Sequence, residues 1–166
     1  MAIIKNYGLF WKRSEVNWGS PGQGNGGTLM GRLVSSRKSE PVDFREQSGI
    51  YILQDGFRVI YVGQSGSGDQ KLFLRLKSHT KNHLAERWDR FSWFGIKSVL
   101  NTHKLSQSDS KTAERGKTSD ILNQLEGVLI NVTEPPLNRQ GARFGKNVAQ
   151  YIQHGKNEPK EWDEYI

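Results

Sequence analysis

Five side chains in this sequence have types and positions suited to acid–base or anion chemistry: Tyr51, Tyr61, Arg75, His79 and Glu126. Tyr51 closes the tripeptide Gly49-Ile50-Tyr51, and Tyr61 opens Tyr61-Val62-Gly63 after nine intervening residues. A phenol with its ordinary pKa of about 10 is a poor base unless neighbouring charges lower that value. Arg75 carries a permanent charge in a planar fork that matches phosphate or carboxylate oxygens. His79, with an ordinary pKa of about 6.5, competes with the tyrosines as proton acceptor. Lys71 and Arg75 would both lower a tyrosine's pKa if they reach it.

The elements that would position these groups can be read from periodicity. The runs Ile50–Gln54 and Phe57–Gly63 are rich in Ile, Val and Tyr and flank Asp55-Gly56, which predicts a hairpin. A two-residue Asp-Gly turn pairs Tyr51 with Ile60 and sends the two tyrosines to opposite faces. A three-residue loop, Gln54-Asp55-Gly56 with Gly56 left-handed, pairs Tyr51 with Val59 and puts both tyrosines on one face. Both registers are open on the sequence. In either, apolar residues occupy both faces, so the strands are expected to be inner ones. A helix should follow, capped by Ser67 or Asp69, with Arg75 and His79 four residues apart on one side. Lys71, Ser78 and Asn82 lie close to that polar stripe, while Leu72, Phe73, Leu76 and Leu84 turn to the core. The aromatic and polar alternation of Trp88–Ile96 predicts a third strand.

A later helix is expected within Thr118–Val132, where Ile121, Leu122, Leu125, Val128, Leu129 and Val132 form an apolar stripe. Glu126 falls at the border of that stripe, where a partly desolvated carboxylate needs a cationic partner or a metal. Pro135-Pro136 stops the helix and forces an extended segment through Asn138.

Composition sets the frame. The chain has 166 residues with 34% hydrophobic and 25% charged, enough for one domain with a core. It has no cysteine, which removes disulfides, thiolate metal sites and cysteine nucleophiles. No apolar run could span a bilayer and the N-terminus lacks the pattern of a signal peptide, so a cytoplasmic protein is expected. The net charge of +7 points to a polyanionic partner, because cations that neutralise phosphates release counterions.

Taken together, Gly49-Ile50-Tyr51, Tyr61-Val62-Gly63, a helix bearing Arg75, a glutamate on a later helix and Pro135-Pro136-Leu137-Asn138 resemble the GIY-YIG nuclease superfamily. The resemblance covers residues 48–140, and the tyrosine spacing, slightly short for the family, reads as a shorter hairpin loop. It implies an α/β domain of α+β type, a small three-stranded antiparallel sheet flanked by helices. Residues 1–47 would be an N-terminal extension, 101–118 a polar insertion and 141–166 a C-terminal tail.

It also implies phosphodiester hydrolysis in DNA with one divalent metal ion, magnesium or manganese in its place. Tyr51 would orient or deprotonate the attacking water, with Tyr61 beside it. Arg75 would stabilise charge on the scissile phosphate, Glu126 would hold the metal and Asn138 would support the site. His79 resembles the site histidine of the restriction-endonuclease members, and Lys71, Lys77 and Lys81 are the expected nucleic-acid contacts on the same segment. The chemistry suits these types. Magnesium keeps most of its waters and takes few carboxylates, and arginine grips phosphate through its fork.

Each residue alone has a plainer reading. The tyrosines would be core residues, Arg75 a solvated helix residue, Glu126 an ion-pair member and Asn138 a turn residue. His79 and His83 lack a third ligand for zinc, and Gly63-Gln64-Ser65-Gly66-Ser67-Gly68 does not follow a nucleotide-binding glycine pattern. Double-strand cleavage by a single site would call for a homodimer or two binding events. Phe10, Trp11 and Trp18 supply either a contact surface or an extension of the core. The rivals to a stand-alone restriction or defence nuclease are a catalytically silent nucleic-acid-binding module and a nuclease subunit that works with a protein partner in a defence complex.

Overall fold

The computed structural model describes residues 3–22, 26–36, 38–66, 70–107, 128 and 148–158. The elements are β1 (Asn6–Lys12), a single 3-10 turn at Arg13–Glu15, β2 (Met30–Leu33), β3 (Val42–Asp43), β4 (Gly49–Asp55), β5 (Arg58–Ser65), α1 (Leu72–His79), β6 (Arg90–Gly95) and β7 (Ala149–Gln153). No helix among the described residues is long and apolar enough to cross a membrane.

Among the described residues the strands form one sheet of seven, in the order β3-β2-β7-β1-β6-β4-β5. This corrects the expectation of a small three-stranded sheet flanked by helices. An antiparallel trio does exist, β5-β4-β6, but β6 does not end the sheet. Its other side pairs with β1, and β1 pairs in parallel with β7. The physical reason lies in the expected extension and tail. Their apolar and aromatic residues have open ladder groups of β6 to satisfy and an aromatic core to complete, so they enter the sheet.

The register of the β4–β5 hairpin is neither of the two expected. Asp55 pairs with Arg58 across a turn at Gly56-Phe57, and beyond a bulge Leu53 pairs with Tyr61 and Tyr51 with Gly63. Gly56 is left-handed, with φ +59, and its N–H donates to Asp89 Oδ1 at 2.8 Å. Ile60 is the extra residue on β5. The bulge restores the parity that puts Tyr51 and Tyr61 on one face. β4 is an inner strand as expected, but β5 is an edge, with Val59 and Val62 exposed.

Two apolar clusters cover the two faces. Tyr51, Leu53, Phe91 and Trp93 face α1 together with Trp11, Leu29 and Phe44 from the first 47 residues. The opposite face holds Ile52 and Phe94 with Ile4 and Val128. α1 buries Leu72, Phe73 and Leu76 as their spacing predicts, with Leu84 buried beyond it. It ends at His79 and has no side-chain cap at its start. Instead, the N–H groups of Leu72 and Phe73 donate to the carbonyls of Gln47 and Arg45.

Candidate functional site

Two glycines let the sheet carry its tyrosines. Gly49 holds φ +149, and a Cβ there would lie 2.0 Å from the Phe94 carbonyl oxygen. A Cβ on Gly63 would lie 2.3 Å from Tyr51 Oη, so this glycine leaves the room that the Tyr51 ring fills. Tyr51 is fully buried, and its hydroxyl lies 2.8 Å from His79 Nε2. The Tyr61 ring, half-buried, sits 4.9 Å from the His79 ring and 6.2 Å from that of Tyr51.

The proton between Tyr51 and His79 can be placed. Leu84 N–H donates to Asn82 Oδ1 at 2.9 Å, which fixes the amide and turns its Nδ2 toward His79 Nδ1, also 2.9 Å away. Nδ1 therefore accepts, Nε2 carries the proton, and the Tyr51 oxygen receives it. Tyr51 keeps its own O–H to donate. Burial holds the His79 pKa below its ordinary value, and the Arg75 charge adds to that, so the ring is neutral near pH 7. Burial raises the Tyr51 pKa above its ordinary value, only partly opposed by Arg75. The lowering expected from neighbouring cations does not prevail, and Tyr51 is a neutral phenol.

Arg75, one turn before His79, is half-buried, and its Nε is buried without a hydrogen-bond partner among the described residues. A cation with an unsatisfied donor beside Tyr51 and a neutral imidazole is a candidate site for an anion, since guanidinium donors suit the oxygens of phosphate or carboxylate. Asn82 is a positioning residue that the sequence placed near the polar stripe without a role. The signal was available in its spacing of three residues from His79.

The other expected residues fall elsewhere. Glu126 and Asn138 lie outside the described residues. Val128 is helical and buried against Ile52 and Phe94, on the face of the sheet opposite Tyr51. Lys71 Nζ is 3.5 Å from Ser48 Oγ, Lys77 lies over the Phe73 ring at 5.8 Å and Lys81 is exposed. Trp11 is core and Trp18 packs on Phe73 at 5.7 Å, so these two extend the core, whereas half-buried Phe10 meets the exposed Phe57 at 5.2 Å.

Among the described residues no three His, Asp or Glu side chains come together as a metal site. Phenols, imidazole and guanidinium are not the oxygen set that magnesium takes. The described residues alone therefore do not fit that ion, and Glu126, the ligand that the resemblance implies, lies outside them. No protein-family model, curated protein or solved structure matches the chain.

Proposed function

We propose that the chain is a metal-dependent endonuclease acting on DNA in the cytoplasm, of restriction or defence type and a divergent relative of the GIY-YIG nucleases. The observation that carries this reading is the Arg75 guanidinium, with its unpartnered buried Nε, beside Tyr51, Tyr61 and His79. Those four were singled out by motif and spacing, and they converge although the hairpin register differs from both expected ones. In this reading Arg75 grips a phosphate oxygen, and Tyr51, a neutral phenol held by His79, orients water or phosphate as a donor rather than as the base. Glu126 holds the metal.

A second reading has its own support. Tyr51 is fully buried, its pKa is raised by burial and its hydroxyl is engaged by His79, which suits a catalytically silent nucleic-acid-binding module. Nicking of supercoiled plasmid by wild type and Glu126→Ala, with magnesium or with chelator, separates the two. The nuclease reading expects nicking only by wild type with magnesium, and loss of cleavage in the variant with DNA binding kept. Magnesium-dependent nicking by Glu126→Ala would reject that metal ligand. No nicking by wild type, with DNA still bound, would reject the stand-alone nuclease and leave the binding module or a nuclease subunit that needs its protein partner.

A further inference from the structure

Beside the start of α1 lies a pocket of about 460 Å³, lined by Arg45, Lys71, Lys97 and Lys104 with Asp43 and Glu46. Its outer wall is a tight turn after β6. Ser106 N–H donates to the Ser98 carbonyl and Leu100 N–H to that of Lys104, and His103 takes a left-handed φ of +56 at the tip. Both carboxylates have partners, although the Glu46 side chain is exposed. Asp43 Oδ1 accepts the N–H groups of Leu29 and Arg45, and Glu46 pairs with Arg45 Nε at 3.3 Å. Lys97 is buried, and its ammonium donates to the Glu46 carbonyl at 3.0 Å, so one cation of the wall is preorganised. Lys71 and Lys104 enter no ion pair with a described residue. Among the described residues, four cations against two carboxylates leave the lining net positive by two.

Two features identify the occupant. Among the described residues the lining holds no Phe, Tyr or Trp, so these offer no platform for stacking a base, and an aliphatic ammonium reads charge rather than base edges. Lys71 belongs both to this pocket and to the segment of Arg75, one helical turn or about 6 Å further on. A strand whose phosphate sits at Arg75 would therefore have a neighbouring phosphate within reach of Lys71. We infer that this pocket is a sequence-independent anchor for the DNA phosphodiester backbone next to the phosphate held at Arg75, with Lys71 as the shared contact and Lys104 as the outer one. The inference rests on the reading that DNA is the partner, but not on cleavage.

The test measures binding without catalysis. Fluorescein-labelled duplexes of two unrelated sequences are titrated by anisotropy in chelator, across a range of salt, with wild type, Lys71→Ala, Lys104→Ala and the exposed control Lys38→Ala. Each pocket variant should weaken binding about tenfold near 100 mM salt and reduce the slope of log K against log salt by about one, equally on both duplexes. Lys38→Ala should match wild type. Pocket variants that match Lys38→Ala, a loss confined to one duplex, or a wild type that binds no DNA would each overturn the inference. The plasmid assay keeps the two readings separate. Nicking with unchanged pocket-variant slopes removes the anchor and leaves the nuclease, whereas pocket-dependent binding without nicking does the reverse.

Discussion

Asn82 decides where the proton sits between Tyr51 and His79, which makes it the residue through which that pair can be tested. Its amide is locked by Leu84 N–H, so it can only donate to Nδ1. An aspartate at this position would accept from Nδ1 instead and move the ring proton there. Nε2 would then accept from the Tyr51 hydroxyl, and the added charge would favour the imidazolium. We expect Asn82→Asp to raise the His79 pKa, read from its ring protons by NMR titration. The sign for stability follows. In the wild type the folded His79 pKa is below its ordinary 6.5, so its contribution is complete above that value and is lost as pH falls through the folded value. Urea unfolding at about pH 5 and 7 should show a smaller acid loss for the variant than for the wild type. An unchanged His79 titration would mean that Asn82 does not set the tautomer. The sequence marked the tyrosines, Arg75 and His79 because their spacings carry local chemistry. The spacing placed Asn82 near His79 but not its role, which depends on a bond made by Leu84 two residues on.

Elements were legible where a short-range pattern decides them, and not where pairing does. The core positions of α1, Leu72, Phe73 and Leu76, follow from helical spacing alone, and all three are buried, with Leu74 half-buried beside them. The hairpin register depends on which carbonyls meet across the strands, and a single extra residue, Ile60, overrides both turn-based readings. Gln47 shows how elements are tied together by a residue with no motif around it. It is buried, its oxygen accepts the N–H groups of Ser48 and Lys97, and its amide donates to Asn6 Oδ1 and the Lys97 carbonyl. One side chain thus joins the approach to β4, the exit from β6 and the start of β1. Gln47→Ala would take the Gln47 partner from two backbone N–H groups and from Asn6 Oδ1 in a closed space, while the Lys97 carbonyl keeps its bond from Asn6 Nδ2. Each orphaned donor costs about 1–3 kcal/mol, so we expect a loss of about 2–5 kcal/mol in urea unfolding with an unchanged m value. A loss under about 0.5 kcal/mol would mean that water replaces the side chain there.

At the scale of the whole molecule, the sequence divided the chain where the resemblance ended, and the sheet does not divide there. Local patterns gave β4, β5, α1 and β6 correctly, because each is contiguous and strongly patterned. They allowed a strand or two within residues 7–19, where most of β1 lies, and said nothing of β2, β3 and β7, whose strand character depends on partners far along the chain. Asn6 of β1 pairs with Gly95 and with Ala149, separations that no window of sequence can register. The core follows the same logic. Trp93 of β6 packs against Trp11 at 5.3 Å and Phe44 at 4.5 Å, and Phe44 packs against Tyr151 at 4.6 Å. A fragment of residues 48–140 would keep Tyr51, Tyr61, Arg75 and His79 but lose Trp11, Phe44 and Tyr151 from the layer beneath them. Removing one such aromatic costs about 3–5 kcal/mol, and several together exceed the whole stability of a typical domain. The fragment would also expose the ladder edge of β6 to other chains. We therefore expect the fragment 48–140 to show no cooperative thermal transition and no near-ultraviolet circular dichroism from its tryptophans, whereas the full chain shows both. A fragment that unfolds cooperatively with the full chain's aromatic signal would show that β4, β5, α1 and β6 fold alone, and that the first 47 residues are an addition to a site already complete.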